Sequence, residues 1–213
     1  MIDKVPKPLR AVFDSHAHYA LAFSGGSDSS YLLAALIACG MDVRAYTVRT
    51  VFQEDFELED ARLVAQTLGA CWQTIDVDML SADDVCANPP DRCYLCKKRI
   101  FTAIEQRMLA DGCSVLIDGT NASDDPARRP GFRALAEFGV VSPLRQAGMT
   151  KDDVRAAART LGVPTADKPS FSCYATAVPA GERITARSLA AAAAQSKEER
   201  SRWMSVRTEL FKR

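Results

Sequence analysis

The chain has no apolar run approaching the roughly 20 residues that a bilayer crossing needs, which excludes a membrane-spanning role and leaves no membrane partner to expect. Net charge is absent as well. The 27 basic residues cancel the 27 acidic ones, removing the long-range attraction that gathers nucleic-acid phosphates, so no nucleic-acid partner is expected. The opening residues, MIDKVPKPLRAVFDSHAHYA, lack the charged start, apolar middle and small-residue cleavage site of an export signal, and a cytoplasmic location follows as the expectation. Seven cysteines in such a chain read as thiols, ligands or nucleophiles rather than a disulfide framework, because the cytosol keeps thiols reduced. Histidine is scarce: His16 and His18 show no ligand or base partner in the sequence and read as surface or packing residues.

What is present is a repeating alternation of short apolar segments and helical stretches. Tyr19 to Phe23, Val43 to Val48, Thr74 to Val77, Val115 to Ile117 and Val140 to Leu144 read as buried strands; Asp28 to Cys39, Glu57 to Leu68 and Tyr94 to Leu109 read as helices. The pattern predicts an α/β fold, a doubly wound parallel five-stranded sheet with helices on both faces. Thr150 opens a further helix, with acidic residues in its first turn where the helix dipole favours them. A Pro-, Ser-, Thr- and Gly-rich loop runs from Pro164 to Arg183, and one last helix is expected from about Arg187 to the end. At 213 residues there is room for one full core and an appendage: residues 1–165 as the nucleotide domain, and 166–213 as a cysteine-bearing loop and C-terminal helix within that domain or against another subunit.

The most specific motif is AFSGGSDSS, in which an apolar strand runs through a glycine-bearing turn directly into a helix. Gly25 and Gly26 let backbone amides approach a phosphate, Ser24, Ser27 and Ser29 add hydroxyl donors, and the helix start adds partial positive charge. Asp28 suits the Mg²⁺ that travels with ATP. The loop lacks the GxxxxGK[ST] lysine, so cleavage between the β and γ phosphates is not expected. It resembles the SGGxDS loop of ATP pyrophosphatases, which cut between α and β phosphates to form an adenylate. Ligands of such sheets lie over the carboxyl ends of the strands, which makes Val48 and Thr50 candidates for the adenine pocket and places Asp118, Gly119, Thr120 and Asn121 at the end of the fourth strand; ordinary turn chemistry explains the latter residues equally well.

DRCYLCKK sets Cys93 and Cys96 two residues apart, a spacing that lets both sulfurs face one metal or each other, or that simply starts a helix with packed thiols. Zinc would want two more ligands, and only Cys173 stands out; three thiolates match a site-differentiated iron–sulfur cluster better. Cys39, Cys71, Cys86 and Cys113 adjoin element ends in apolar company and are expected to be buried, with Cys113 an outside candidate nucleophile.

The phrases AFSGGSDSSYLL, DRCYLCKKRIF, DGTNASDD, RPGFRALAEFGVVSPL, TKDDVRAAARTLGVP and DKPSFSC, spread over Leu9 to Thr185, resemble the LarE family of ATP-dependent sacrificial sulfur transferases. In that family an acid on a pyridinium mononucleotide is adenylated and attacked by sulfur, giving a thiocarboxylate destined for a nickel pincer cofactor. The resemblance implies ATP and Mg²⁺ as cofactors and Cys93, Cys96 and Cys173 as the sulfur site. Members with one cysteine matching Cys173 sacrifice its sulfur, and those with all three can hold a [4Fe-4S] cluster instead. Where the family reads CLASR, this chain has Ala177 in place of the arginine, and it stops at Arg213, ahead of the small α/β domain that follows in the family. Loss of a fixed cation suited to an anionic substrate turns the expectation toward a heterocycle whose ring carbonyl becomes a thiocarbonyl, as in 6-thioguanine biosynthesis. The alternatives are thiocarboxylate formation, an ammonia-using ligase, and a non-catalytic nucleotide or metal sensor. Lys97 or Lys98, with Arg128 or Arg129, is expected to neutralise developing charge. The partners expected are a small-molecule substrate, a sulfur-donor protein or cysteine desulfurase, and further copies of the chain.

Overall fold

The computed structural model describes residues 1–128, 130–195 and 197–211. A short helix α1 (Lys7–Arg10) precedes β1 (His18–Ala22), then α2 (Ser27–Ala38), β2 (Asp42–Arg49), α3 (Asp55–Thr67) and β3 (Cys71–Asp76) follow in strict alternation. After α4 (Asp83–Cys86) and the long α5 (Arg92–Ala110) comes β4 (Val115–Asp118), and the remainder is helical: α6 (Phe132–Glu137), α7 (Pro143–Gln146), α8 (Lys151–Leu161), α9 (Ala186–Gln195) and α10 (Lys197–Leu210).

The sheet is all parallel, in the order β3-β2-β1-β4. Tyr19 sits between Val43 on one side and Val115 on the other, so β1 is central and the chain reverses its direction of winding between β1 and β4. The carboxyl ends of these two strands therefore splay their loops apart and leave a crevice.

The sheet has four strands where five were expected. Val141 alone bridges Ile117, through Val141 N donating to Leu116 O at 2.9 Å and Asp118 N to Val141 O at 3.0 Å. The pairing ends there because Pro143 has no N–H to give a ladder and its fixed φ suits the first turn of α7, which it opens. The C-terminal segment is helical on both sides of residue 196, over α9 and α10, with Arg200 Nη1 of α10 donating back to Ala193 O of α9 at 2.7 Å.

Apolar packing divides by face. Leu21, Leu32, Leu33, Leu36, Val64 and Val154 belong to the core that α2, α3 and α8 form with one side of the sheet, and Tyr46, Phe101, Ile104 and Leu116 to the core that α5 forms with the other. A third cluster, built on Phe52, Met79, Val85, Val178 and Ile184, seats the loop that carries Cys173. Among the described residues no helix is long and apolar enough to cross a membrane.

Candidate active site

β1 ends at Ala22, and Phe23 still donates to Tyr46 O at 2.9 Å, which holds the following turn in line with the sheet. Ser24 N donates to Ser29 Oγ at 3.3 Å and the two hydroxyls lie 3.1 Å apart, while Gly26 N donates to Ser24 Oγ at 3.3 Å. The loop is thus closed on its own hydroxyls, with the amino terminus of α2 opening behind it and its partial positive charge available to an anion. Gly25 has φ +69°, and a Cβ there would come within 2.7 Å of the Ala61 backbone in α3; the absent side chain serves the packing of loop on helix as well as phosphate access. Gly119 is equally constrained, since a Cβ would meet Ser29 N at 2.8 Å, and this close approach brings the end of β4 onto the loop.

The loop forms one wall of a cleft of about 730 Å³ at the carboxyl ends of the strands. Ser24, Gly26, Ser27, Asp28 and Ser29 line it, as do Asp118, Gly119 and Asn121 at the end of β4 and Val48 at the end of β2. Asp118 is nearly buried and is spent on structure: it accepts from Thr120 Oγ1 at 2.5 Å and Ser142 Oγ at 2.7 Å. Thr50 is not among the lining residues. Its hydroxyl accepts from Phe52 N at 3.2 Å and its N–H donates to Gln53 Oε1 at 3.1 Å, forming the turn that leaves Gln53, not Thr50, lining the cleft.

A residue that sequence reasoning missed supplies a cation to this wall. Lys151, the first residue of α8, reaches across 123 positions to Asp28, with Nζ 2.8 and 2.7 Å from the two carboxylate oxygens and 2.8 Å from Ser27 Oγ. Thr150 makes this reach reproducible: its hydroxyl and the Asp153 carboxylate form a reciprocal capping box that fixes the start of α8. The only sequence signal was the TKDD helix start, which says where a helix begins and nothing about what it faces. Asp28, also 3.4 Å from Asn121 Nδ2, is the single carboxylate of the phosphate loop. A Mg²⁺ carried by nucleotide phosphates needs few protein ligands, so one carboxylate fits it, shared with Lys151.

Lys97, Ile100 and Phe101 from α5, Glu57 from α3, and residues 168–172 of the cysteine loop also line the cleft. Lys97 lines the cleft, packed against Gly131 and 5.9 Å from the Phe101 ring, whereas Lys98 turns to Glu137 outside it. Arg129 and the side chain of Arg128 lie outside the described residues. Burial pushes the Glu57 carboxyl up from its usual value, and the nearby Lys168 opposes the shift.

The three cysteines gather next in sequence to the cleft-lining Lys97 and Ser172. Cys93 and Cys96 occupy the first turn of α5, one turn apart on the same side, and Cys173 is the residue before a 3-10 turn, Tyr174–Ala177. Arg92 ties the two segments, donating through Nη1 to Asn88 Oδ1 at 2.8 Å and Ala175 O at 2.7 Å, and through Nη2 to Cys93 Sγ at 3.5 Å. Cys93 is exposed; Cys96 and Cys173 are half-buried against the third apolar cluster. The Cys96 thiol is pushed up to about 12, first by burial and then by the neighbouring Cys173 and Cys93 sulfurs. The sulfurs are therefore neighbours, yet among the described residues no three His, Cys, Asp or Glu side chains converge on a single metal ion. Three thiols are soft donors of the kind that hold an iron–sulfur cluster.

The other cysteines divide. Cys86 and Cys113 are buried, the latter 3.5 Å from Tyr46 Oη at the amino-terminal end of β4, away from the loop; Cys39 is half-buried and Cys71, against expectation, is exposed at the start of edge strand β3. His16 is exposed, and His18 has a partner after all, Asp42 at 2.6 Å, but both side chains are open to solvent.

No family model matches the chain. It is 33% identical over 190 residues to an uncharacterised protein of Synechocystis, covering 89% of this chain and 71% of that one. It is 34% identical over 183 residues to the pyridinium-3,5-bisthiocarboxylic acid mononucleotide synthase of Lactiplantibacillus plantarum, covering 85% of this chain and 66% of that enzyme. The structure of NMN synthetase from Francisella tularensis superposes with a TM-score of 0.62 over 93% of this chain and 94% of that one at 14% identity, a likeness of fold. With its SGGSDS loop at the strand ends of this fold and these relatives, the chain belongs to the PP-loop ATP pyrophosphatase family as a homologue of the LarE-type sulfur transferases.

Proposed function

We propose that this protein uses ATP to adenylate an oxygen of a small molecule and then replaces that oxygen by sulfur, giving a thiocarbonyl on a heterocycle. The observation that carries the reading is one cleft lined by two chemistries: the Ser24–Ser29 loop with Lys151, and Lys97 and Ser172, each next in sequence to a clustered cysteine.

The triphosphate takes the loop amides and the α2 terminus, with Lys151 Nζ and Ser27 Oγ as donors beside it. Mg²⁺ held by the phosphates and Asp28 would neutralise charge on the departing pyrophosphate. The substrate oxygen attacks the α phosphorus, the bond from that phosphorus to pyrophosphate breaks, and Lys97 offsets the charge that develops. A sulfide-level sulfur carried at the cysteine site then adds to the activated carbon, and AMP leaves with the original oxygen; were Cys173 itself the donor, its Cβ–Sγ bond would break and leave dehydroalanine. A [4Fe-4S] cluster held by Cys93, Cys96 and Cys173 would supply an open iron able to carry that sulfur as sulfide. At the end of the cysteine loop Ala177 offers no charge, which suits a neutral ring better than a dicarboxylate mononucleotide.

The test is product analysis with α-labelled ATP and a panel of purine and pyridine acceptors. AMP, pyrophosphate and a product heavier by the mass difference between sulfur and oxygen are expected, and Cys173→Ser is expected to release pyrophosphate and form the adenylate without the thio product. Formation of ADP and orthophosphate would defeat the reading. Iron and sulfide counts on anaerobically purified protein separate a cluster from a donating cysteine.

A further inference from the structure

Three acidic residues at successive helical spacings, Glu54, Glu57 and Asp60, run along the start of α3. Glu57 lines the cleft, and the other two bind the cysteine loop and the C-terminal helix together. Glu54 accepts from the Tyr174 hydroxyl and pairs with Arg200 of α10, whose guanidinium carbon also lies 4.8 Å from the Tyr174 ring centroid. Asp60, 0% exposed, has Lys168 Nζ of the cysteine loop 2.8 Å away, and accepts from Trp203 Nε1 at 2.8 Å and Arg207 Nε at 2.7 Å, both from α10. Lys168 and Tyr174 bracket Cys173 and the residues that line the cleft. Each end of this segment is thus fixed to an acid of α3 that α10 also grips.

The segment needs such fixing. It forms one 3-10 turn and no longer element, so its own backbone does little to set where Cys173 lies. Both ionic contacts are shielded from water, with Glu54 and Arg200 side chains 12% and 13% exposed and Lys168 2%, so they resist screening in a way that surface pairs do not. α10 touches neither Lys151 nor the phosphate loop through any of these contacts.

We propose that α10 is a clamp that sets Cys173 against the cleft, with Glu54, Asp60, Arg200, Trp203 and Arg207 as positioning residues for the sulfur-transfer step and not for adenylation. This rests on the reading of Cys173 as part of the sulfur site. The test uses the full chain carrying Arg200→Gln or, separately, Trp203→Phe, which keeps an aromatic ring while removing the indole N–H and the fused second ring. Each cysteine is followed by timed iodoacetamide labelling and mass spectrometry in the absence of nucleotide. The labelling rate of Cys173 is expected to rise at least fivefold while Cys86 and Cys113 stay protected; single-turnover pyrophosphate release is expected to hold within about twofold as the thio product falls at least tenfold. An unchanged Cys173 rate overturns the clamp, and so does a rise shared by all buried cysteines, which would mean general loosening. If the parent chain forms no AMP, the functional reading fails while the labelling still decides the clamp.

Discussion

Lys151 shows how much a single cation can carry. Asp28 sits in the loop that should receive a polyanion, and its charge is tolerable there because Lys151 Nζ lies within 2.8 Å of both carboxylate oxygens. Removing the ammonium does two things at once: it deletes a donor beside the phosphates and leaves a bare carboxylate facing them. Lys151→Met is therefore expected to lower kcat/KM for AMP formation by about a hundredfold, the usual cost of losing one preorganised donor, with Lys151→Arg recovering part of it; pyrophosphate-release kinetics measure both. Cys96 makes a second statement at this scale. Its folded thiol is pushed to about 12 from an ordinary value of 9.0, so the fold holds the proton more tightly than the unfolded chain does. That contribution to stability is fully present below pH 9 and is lost as pH rises toward 12, and it should shrink in Cys96→Ser when urea unfolding is followed across that range. At pH 8 the exposed Cys93 should alkylate well before Cys96.

At the scale of elements, most of the framework could be read from periodicity, because β1, β2, α2, α3 and α5 each carry a strong local signal. The fifth strand could not: Val140 and Val141 have strand-like side chains, but Pro143 two residues on takes away the donor and turns the chain into α7. The phosphate loop was legible because its chemistry is local, a run of six residues. Lys151, Glu57, Gln53 and Lys168 were not, because each enters the cleft from a separate element and nothing in its own neighbourhood says so. The start of α8 links the two kinds of information. Thr150 caps the helix and so fixes the residue that grips Asp28. Thr150→Ala is expected to cost about 1 kcal/mol of stability, the common cost of a lost N-cap, and also to raise KM for ATP severalfold with kcat less affected. A stability loss with KM unchanged would show that Lys151 finds Asp28 without the cap.

Across the whole molecule, the topology puts the nucleotide wall where β1 and β4 diverge, and the cysteine wall is brought to it from far along the chain by α3 and α10. Asp60 is where this long-range organisation is concentrated, since one buried carboxylate meets residues 168, 203 and 207. A buried ion pair need not stabilise a fold more than apolar groups of the same shape would, because desolvation offsets much of the attraction. Losing one partner is a different matter. In Asp60→Ala, Lys168 at 2% exposure and Arg207 at 13% keep their charges without a counterion, and water cannot replace it. The expected loss is about 3–5 kcal/mol, which for a chain of this length corresponds to a fall in Tm of roughly 10 °C. Asp60→Asn keeps an acceptor for the Trp203 indole and should lose less, while Asp76→Ala, which breaks an exposed pair with Arg49, should leave Tm nearly unchanged. Chemical denaturation of the three variants orders these effects; if Asp60→Ala unfolded no earlier than Asp76→Ala, the buried carboxylate would not be what joins the C-terminal helix and the cysteine loop to α3.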